Sequence, residues 1–353
     1  MWRVLCVDDD AEKARDVGDY LKEWEGNALG EFHVEIASTF ESAIERIKRE
    51  QFDLVTLDLH GATDPLPEVD DGGEDQEGRR ILDVIRKSCF LPVVFYTGFA
   101  EKIASLESPV VKVVKKGEDD VSSVRSAVEE IFATGLPKLS ALIQRDKREF
   151  MWDIVDGDWN VGKQKGADLA YLLARRLAAR FSGVSVKEAL GHPVGSAKPI
   201  ELYIYPPVES SIFTGSIVKQ LDGFWLVVTP ACDFAQRKAS NVLMVQAYAL
   251  EDHDIYKAWV VDPSKKNADA VKALIDNKKG DRFRFLPGTF YLPDLVVDFQ
   301  ALKTVVSYQF PKEAVVCRID SPFREELLNL FSKYYGRVGI PQVDVSLSMA
   351  RIV

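Results

Sequence analysis

No stretch of this 353-residue chain approaches the roughly 20 consecutive apolar residues that a helix needs to cross a bilayer. Met1 leads straight into an apolar strand pattern without the charged start of a signal peptide, so a cytoplasmic protein with no membrane contact is expected. Cysteine is scarce as well. Cys6, Cys89, Cys232 and Cys317 stand far apart, with none of the close pairs that a zinc site or a disulfide framework uses, and reduced, mostly buried thiols are the simplest reading. Basic charge is also short. A net charge of −10 argues against a whole-protein affinity for nucleic acid and leaves only a local basic face for it. The chain has no internal repeat, no low-complexity tract and no convincing helix-turn-helix at its end, so a DNA-binding transcription factor is not the first expectation.

What is present is ordinary globular material, 46% hydrophobic, over a length that suits two domains and a helical connector. Residues 3–8, RVLCVD, form an apolar run ending in acids, and Ala14, Val17, Leu21 and Trp24 then recur at helical spacing. The unit repeats. His33–Ala37 alternates like a strand, and Ser38-Thr39-Phe40-Glu41 has capping-box spacing before Ala43, Ile44 and Ile47. FDLVTLDL (52–59) precedes Ile81, Leu82 and Ile85. PVVFYTG (92–98) precedes a short polar stretch, and PVVKVV (109–114) precedes Val121, Val124, Val128 and Ile131. Strands alternating with helices imply a parallel sheet covered on both faces, with ligands at the carboxyl ends of its strands. Asp8, Asp9, Asp58, Thr97 and Lys116 all fall at such ends.

These residues resemble the response-regulator receiver family: VLCVDDD on the first strand, LVTLDLH on the third, VVFYTG on the fourth and VVKKG on the fifth. The resemblance covers about residues 1–134 and implies a flavodoxin-like, doubly wound, five-stranded parallel α/β domain. It implies Asp58 as a nucleophile that takes a phosphoryl group, forming an aspartyl phosphate. Asp8 and Asp9 would hold Mg2+, Asp9 directly and Asp8 through water, with Asp58 and the backbone carbonyl of His60 completing the protein's share. A hard cation suits this chemistry because a carboxylate attacks a phosphoryl donor only once the charge on the donor's oxygens is neutralised. Thr97 would hydrogen-bond a phosphoryl oxygen and a lysine would pair with another. Lys115 and Lys116 both stand at the strand end and point to opposite faces; the family's apolar-apolar-any-Lys pattern favours Lys116, with Lys115 as the alternative register. A histidine kinase or phosphotransfer protein is the implied partner, with a second copy of the chain as another.

Several positions depart from the family. Gly117 follows the lysine where proline is usual, and Val113 replaces the usual switch aromatic. Tyr96 is a substitute, although as a strand neighbour of Thr97 it should face the other way. The loop from Gly61 to Gly78 carries seven acidic residues and no basic one. A solvated insertion is its simplest reading, with a cover over the site or an extra cation site as alternatives. His60 reads as a solvent-facing loop histidine or as a contact for an incoming phosphodonor.

Past Gly135-Leu136-Pro137 the strand pattern stops, and 135–195 reads as a helical connector. Leu139, Leu142, Ile143, Phe150 and Ile154 mark one helix, and a second runs about 166–181. Arg145, Lys147, Arg148, Arg175, Arg176 and Arg180 on these helices form either a solvated face, the simpler reading, or a phosphate-binding one. Residues 196–353 read as a β-rich α+β output domain with an SH3-like barrel suspected in 200–320. Its strands are expected at 200–205, 212–219, 223–229, 242–249, 281–286, 302–309 and 314–319, followed by a helix capped by Ser321 and ended by Gly336. FWLVVTPACDF (224–234) is its most distinctive segment. Cys232 at the end of that apolar run reads first as buried packing. The alternatives are a nucleophile activated by His253 or His192, or a metal ligand beside Asp233.

The expectation is therefore a phosphorylation-controlled switch acting on a β-rich output. An enzyme centred on Cys232, a degenerate receiver that serves as an interaction module, and a nucleic-acid regulator using the basic helices are the competing readings.

Overall fold

The computed structural model describes residues 1–58, 76–117, 119–152, 166–208, 212–307 and 314–339. The chain divides into two compact units, Met1–Val194 and Gly195–Val353. Among the described residues no helix is long and apolar enough to cross a membrane.

The first unit alternates strand and helix as the apolar pattern requires: β1 (Trp2–Val7), α1 (Ala11–Lys22), β2 (Phe32–Ala37), α2 (Phe40–Arg49), β3 (Leu54–Leu57), α3 (Gln76–Ser88), β4 (Val93–Thr97), α4 (Ala100–Ile103), β5 (Val111–Lys115) and α5 (Asp120–Ala133). The five strands are parallel in the order β2-β1-β3-β4-β5. The expected flavodoxin-like, doubly wound sheet is thus observed. Because successive side chains of a strand point to opposite faces, β1 sends Val4 and Cys6 into the core under α1 and α5, and Leu5 and Val7 into the core under α2 and α3. Each fully buried aliphatic side chain contributes about 1.5–3 kcal/mol. The switch in winding direction lies between β1 and β3, the two strands that end in Asp8 and Asp58.

Local signals place the helix starts. Asp10 caps α1 by accepting from the Glu12 N–H at 3.0 Å. The cap of α2 is Thr39, accepting from Ser42 N–H at 3.2 Å, one residue later than the Ser38 capping box proposed, because a hydroxyl at either position satisfies the same orphan donors. Helix α3 begins at Gln76, so the acidic segment read as a loop through Gly78 already enters a helix there; residues 61–75 lie outside the described residues.

The connector helices α6 (Leu136–Glu149), α7 (Gly166–Arg180) and α8 (Gly183–Leu190) belong to the same compact unit as the sheet. Asp146 of α6 is buried and faces Arg176 Nε at 3.2 Å and Arg180 Nε at 3.8 Å from α7. A buried carboxylate needs such partners, so two of the six basic side chains singled out in the sequence hold helices together. Ile154 lies outside the described residues.

The second unit consists of β6 (Tyr203–Ile204), β7 (Ser216–Gln220), β8 (Gly223–Val227), α9 (Ala231–Ala235), β9 (Asn241–Ala249), α10 (Asp254–Val261), α11 (Lys265–Ile275), β10 (Phe283–Leu286), β11 (Leu295–Val306), β12 (Val315–Ile319) and α12 (Phe323–Tyr335). Its strands form one antiparallel sheet in the order β10-β11-β9-β8-β7-β12-β6. The expected β-rich second half is observed, as a seven-stranded sheet with β10 and β6 at its edges. One face packs Ile217, Leu226, Val245 and Phe299 against Leu327 and Tyr334 of α12, and the other buries Val218, Trp225 and Met244. Helix α12 is capped by Pro322, not Ser321; no side-chain cap bond is made, and Ser321 instead donates its backbone N–H to Asp320 Oδ1 at 2.8 Å.

Candidate functional site

The carboxyl end of the first sheet gathers its polar residues. Asp8 follows β1 and Asp58 follows β3, and the backbone N–H of Asp58 donates to Val7 O at 2.9 Å, which draws the two strand ends together. Asp8, Asp9 and Asp58 each bring a carboxylate oxygen within 4.8 Å of the others. Asp8 and Asp58 are only 4% and 5% exposed, whereas Asp9 opens to solvent. Among the described residues this is the one grouping of His, Cys, Asp and Glu side chains close enough to share a cation. All its donors are carboxylate oxygens, which suits a hard divalent cation.

Lys116 arrives from the end of β5. Its ammonium donates to Asp58 Oδ2 at 2.6 Å and to Asp8 Oδ2 at 3.0 Å. Lys115, one residue earlier, points away and pairs with exposed Glu101 at 2.8 Å. Of the two lysines, Lys116 reaches the carboxylates and Lys115 does not. Thr97, fully buried at the end of β4, accepts from the Phe99 N–H at 3.2 Å through Oγ1, which leaves its own hydroxyl hydrogen to donate elsewhere. Its backbone carbonyl takes the Lys116 N–H at 3.0 Å.

The electrostatics follow from crowding. Burial lifts the Asp8 carboxyl above its ordinary range, and the nearby Asp58 carboxylate adds to that, outweighing the hydrogen bonds from Asp10 N–H and Lys116 that pull it down. Burial would lower the Lys116 ammonium, but its hydrogen bonds to Asp58 and Asp8 outweigh this and raise it, so it stays charged.

Tyr96 and Asp120 extend the site. Tyr96 packs on the α1/α5 side of the sheet, as expected of a strand neighbour of Thr97. The Lys116 ammonium nevertheless stands 5.1 Å from its ring centroid, within cation–π range. Its hydroxyl donates to Asp120 Oδ2 at 2.5 Å, and Asp120 Oδ1 accepts from the Gly117 N–H at 2.8 Å. Burial, then Asp120, raise the Tyr96 phenol. The chain just after Lys116, where the family usually has proline, is therefore tied to the first turn of α5. Asp120 was not singled out in the sequence, since an acid opening a helix is ordinarily read as balancing its dipole. His60 lies outside the described residues, as does most of the acidic segment.

The second unit overturns one expectation. Cys232 is exposed on the short helix α9, and its thiol stands 3.7 Å from Asp233 Oδ1, so it is not buried packing. The apolar run ends at buried Val228 and Thr229, and Pro230 turns the chain outward before the cysteine. Cys89 is exposed too, leaving Cys6 and Cys317 as the buried thiols. His253 is buried and caps α10, accepting from the Ile255 N–H at 3.3 Å.

No family model matches the chain, and no curated protein matches it. Solved structures match its N-terminal part. A CheY-like response regulator receiver domain protein from Methanospirillum hungatei is 22% identical over 38% of this chain and 95% of its own, with a TM-score of 0.27. The Francisella response regulator 1452 receiver domain is 18% identical over 38% and 99%, with a TM-score of 0.28. The Thermotoga maritima response regulator protein TrrA, solved in complex with Mg2+ and BeF, is 19% identical over 37% and 99%, with a TM-score of 0.27.

Proposed function

We propose that the chain is a response regulator of a phosphorelay, in which Asp58 accepts a phosphoryl group and thereby controls the β-rich unit. The observation that carries this reading is Lys116, whose ammonium is shared between two buried carboxylates of a three-carboxylate cluster. Like charges brought together at the end of a sheet are costly for stability and are kept where chemistry uses them.

The residues divide the work as follows. An Asp58 oxygen attacks phosphorus. A new O–P bond forms, the bond from phosphorus to the donor breaks, and the electron pair leaves with the donor, a phosphohistidine of a kinase or phosphotransfer protein. Asp8, Asp9 and Asp58 would hold Mg2+, which supplies charge neutralisation at the phosphoryl oxygens. Lys116 shifts its hydrogen bond from the Asp58 carboxylate to the phosphoryl group, and Thr97 donates its hydroxyl to another phosphoryl oxygen. Tyr96 and Asp120 hold Lys116 in place.

The added charge, about −1.5 to −2, then rearranges these hydrogen bonds. The bond from Gly117, the residue after Lys116, to Asp120 leads into α5, and α5 runs through Gly135 into α6, the start of the connector. The functional division is a receiver over 1–134, a connector over 135–195 and an output over 196–353, acting in the cytoplasm.

The direct test is incubation with Mg2+ and acetyl phosphate followed by intact mass. A gain of one hydroxylamine-labile phosphoryl group on the wild type and none on Asp58→Ala is expected. An unchanged wild-type mass under conditions that modify a control receiver, or equal labelling of the variant, overturns the reading.

A further inference from the structure

Three basic side chains of the connector that Asp146 does not take have a separate destination. Lys138, Arg145 and Arg148 recur on one face of α6 and line an open groove of about 870 Å3. The groove lies at the amino ends of the strands of the first unit, the opposite end of the sheet from Asp8 and Asp58. Its other wall comes from the start of β1, the turn before β3 and the turn before β4.

Two carboxylates line this groove, and both are already engaged. Glu50 binds Arg3 at 2.7 Å and Arg46 at 3.0 Å, and Asp53 Oδ2 accepts the Arg3 N–H at 2.9 Å. Arg145 has a loose contact of 3.8 Å with Glu149 on its own exposed helix face, worth little in water. Lys138 and Arg148 have no ion-pair or hydrogen-bond partner among the described residues. In a chain with net charge −10, the lining of this one concave surface holds four cations, Arg3, Lys138, Arg145 and Arg148, against the two carboxylates Glu50 and Asp53. Low-dielectric walls focus such a field and concentrate anions. The groove also offers apolar surface at Phe90, which holds 48% of its surface exposed, whereas the Phe52 ring in its lining carries Arg3 and Arg46 over it. Its volume lies in the range of small-molecule sites, about 300–1,000 Å3.

We infer that this groove binds a nucleoside phosphate, its phosphates on Lys138, Arg145 and Arg148 and its base against the apolar wall. A ligand there touches both α6 and the sheet, so it would tie the connector to the first unit from the end opposite Asp58. The inference stands apart from the phosphoacceptor reading and fails or survives separately.

The test is calorimetric titration of the full chain with ADP, pyrophosphate and adenosine in EDTA, which removes any cation from the acidic cluster. ADP is expected to bind more tightly than pyrophosphate, with adenosine silent and affinity falling as salt rises. Arg145→Glu combined with Arg148→Glu should weaken ADP at least tenfold. Lys147→Glu, on the same helix but outside the groove, should change it less than twofold, and Phe90→Ala should weaken ADP but not pyrophosphate. No ADP binding at millimolar concentration, or equal loss with Lys147→Glu, overturns the site. Pyrophosphate binding as tightly as ADP overturns the nucleoside assignment, and adenosine binding as tightly as ADP overturns the anionic one.

Discussion

Each unit buries charged or hydroxyl side chains, and two of these buried groupings are built in opposite ways. In the second unit Asp298, Thr214 and Thr229 each have a local partner. Asp298 takes a two-pronged hydrogen bond from Arg282, at 2.8 and 2.7 Å. Thr214 donates to Thr229 O at 2.5 Å, and Thr229 Oγ1 accepts from Leu243 N–H at 2.6 Å, which stitches the loop before β7 to β8 and β9. In the first unit Asp8 and Asp58 are buried beside one another and beside Asp9, and Lys116 brings a single positive charge to the three. The first arrangement is how a fold satisfies desolvated groups. The second stores repulsion that a cation or a phosphoryl group would relieve. Buried polarity is therefore architecture at Asp298, as it is at Asp146 of the first unit, whereas the grouping of Asp8 and Asp58 is the one that the proposed phosphoacceptor role would use.

The sharpest way to break that contrast is at the two lysines. Lys116→Ala removes the cation shared by Asp8 and Asp58, whereas Lys115→Ala removes only an exposed pair with Glu101. The expected outcome is a loss of at least tenfold in the phosphorylation-induced change of the chain for Lys116→Ala and less than twofold for Lys115→Ala. Phosphorylation-dependent hydrogen exchange in α5 and α6 would read it. Equal effects would mean that the acidic cluster does not act through Lys116.

An architectural ion pair should behave differently. Asp298→Asn is expected to destabilise the second unit by about 2 kcal/mol at neutral pH, below the 3–5 kcal/mol of a fully buried pair because Arg282 remains half open to water. Burial alone would raise Asp298, but Arg282 and the Gln300 N–H outweigh it and hold it below its ordinary value. A depressed carboxylate contributes stability above its unfolded value of about 3.9, and loses it as pH falls through the lower folded one. The gap between wild type and variant, read by hydrogen exchange of β11, should stay constant down to about pH 5 and close below about pH 4. A gap that persists in acid would assign the effect to packing instead.

Tyr96→Phe probes the support of the site. It removes a 2.5 Å hydrogen bond to Asp120 but leaves the ring under Lys116. A stability loss of about 1 kcal/mol is expected, with phosphorylation slowed a few-fold. If Tyr96 works by holding Lys116, that slowing should vanish in a Lys116→Ala background, while the stability loss persists. A slowing that persists unchanged there would make Tyr96 a packing residue only.

Much of the first unit was legible in the sequence because its strands are buried on both faces, and runs such as LVTLDL and VVFYT carry no competing pattern. Strand alternation separated Lys115 from Lys116, and the resemblance to the receiver pattern favoured Lys116. What stayed hidden depended on contacts between distant segments. Asp120 gains its meaning only when α5 folds back to Tyr96 and Gly117, and Arg176 and Arg180 only when α6 presents Asp146. In the second unit α10 and α11 were missed even though His253 and Ser264 stand at their caps, because 254–275 lies between strand signals and its apolar residues mark no buried stripe: α10 buries none of them fully and α11 only Leu274. β11 begins at Leu295, seven residues before its expected start, with a register shift between Asp298 and Leu302 that interrupts its alternation. Cys232 was misjudged because the apolar run before it was extended past Pro230, where the chain in fact leaves the sheet.

The smallest expected effect is at that cysteine. A buried thiol replaced by a hydroxyl would cost about 1–3 kcal/mol, but an exposed one loses only a weak contact with Asp233. Cys232→Ser is therefore expected to change stability by less than about 0.5 kcal/mol. Burial pushes the Cys6 thiol up to about 11 and the Cys317 thiol up to about 12, so neither supplies thiolate near neutral pH. Burial raises the partly covered Cys89 thiol as well. Iodoacetamide should thus label Cys232 first, Cys89 more slowly, and Cys6 and Cys317 only on unfolding. Fast labelling alone does not make a nucleophile, since exposure without a basic partner gives ordinary thiol reactivity. The decisive quantity is the pH dependence of the Cys232 rate. A midpoint near the free-thiol value of about 8.5 leaves the second unit without thiol chemistry, and one well below it would give that unit an activated site of its own and remove the contrast between the two halves.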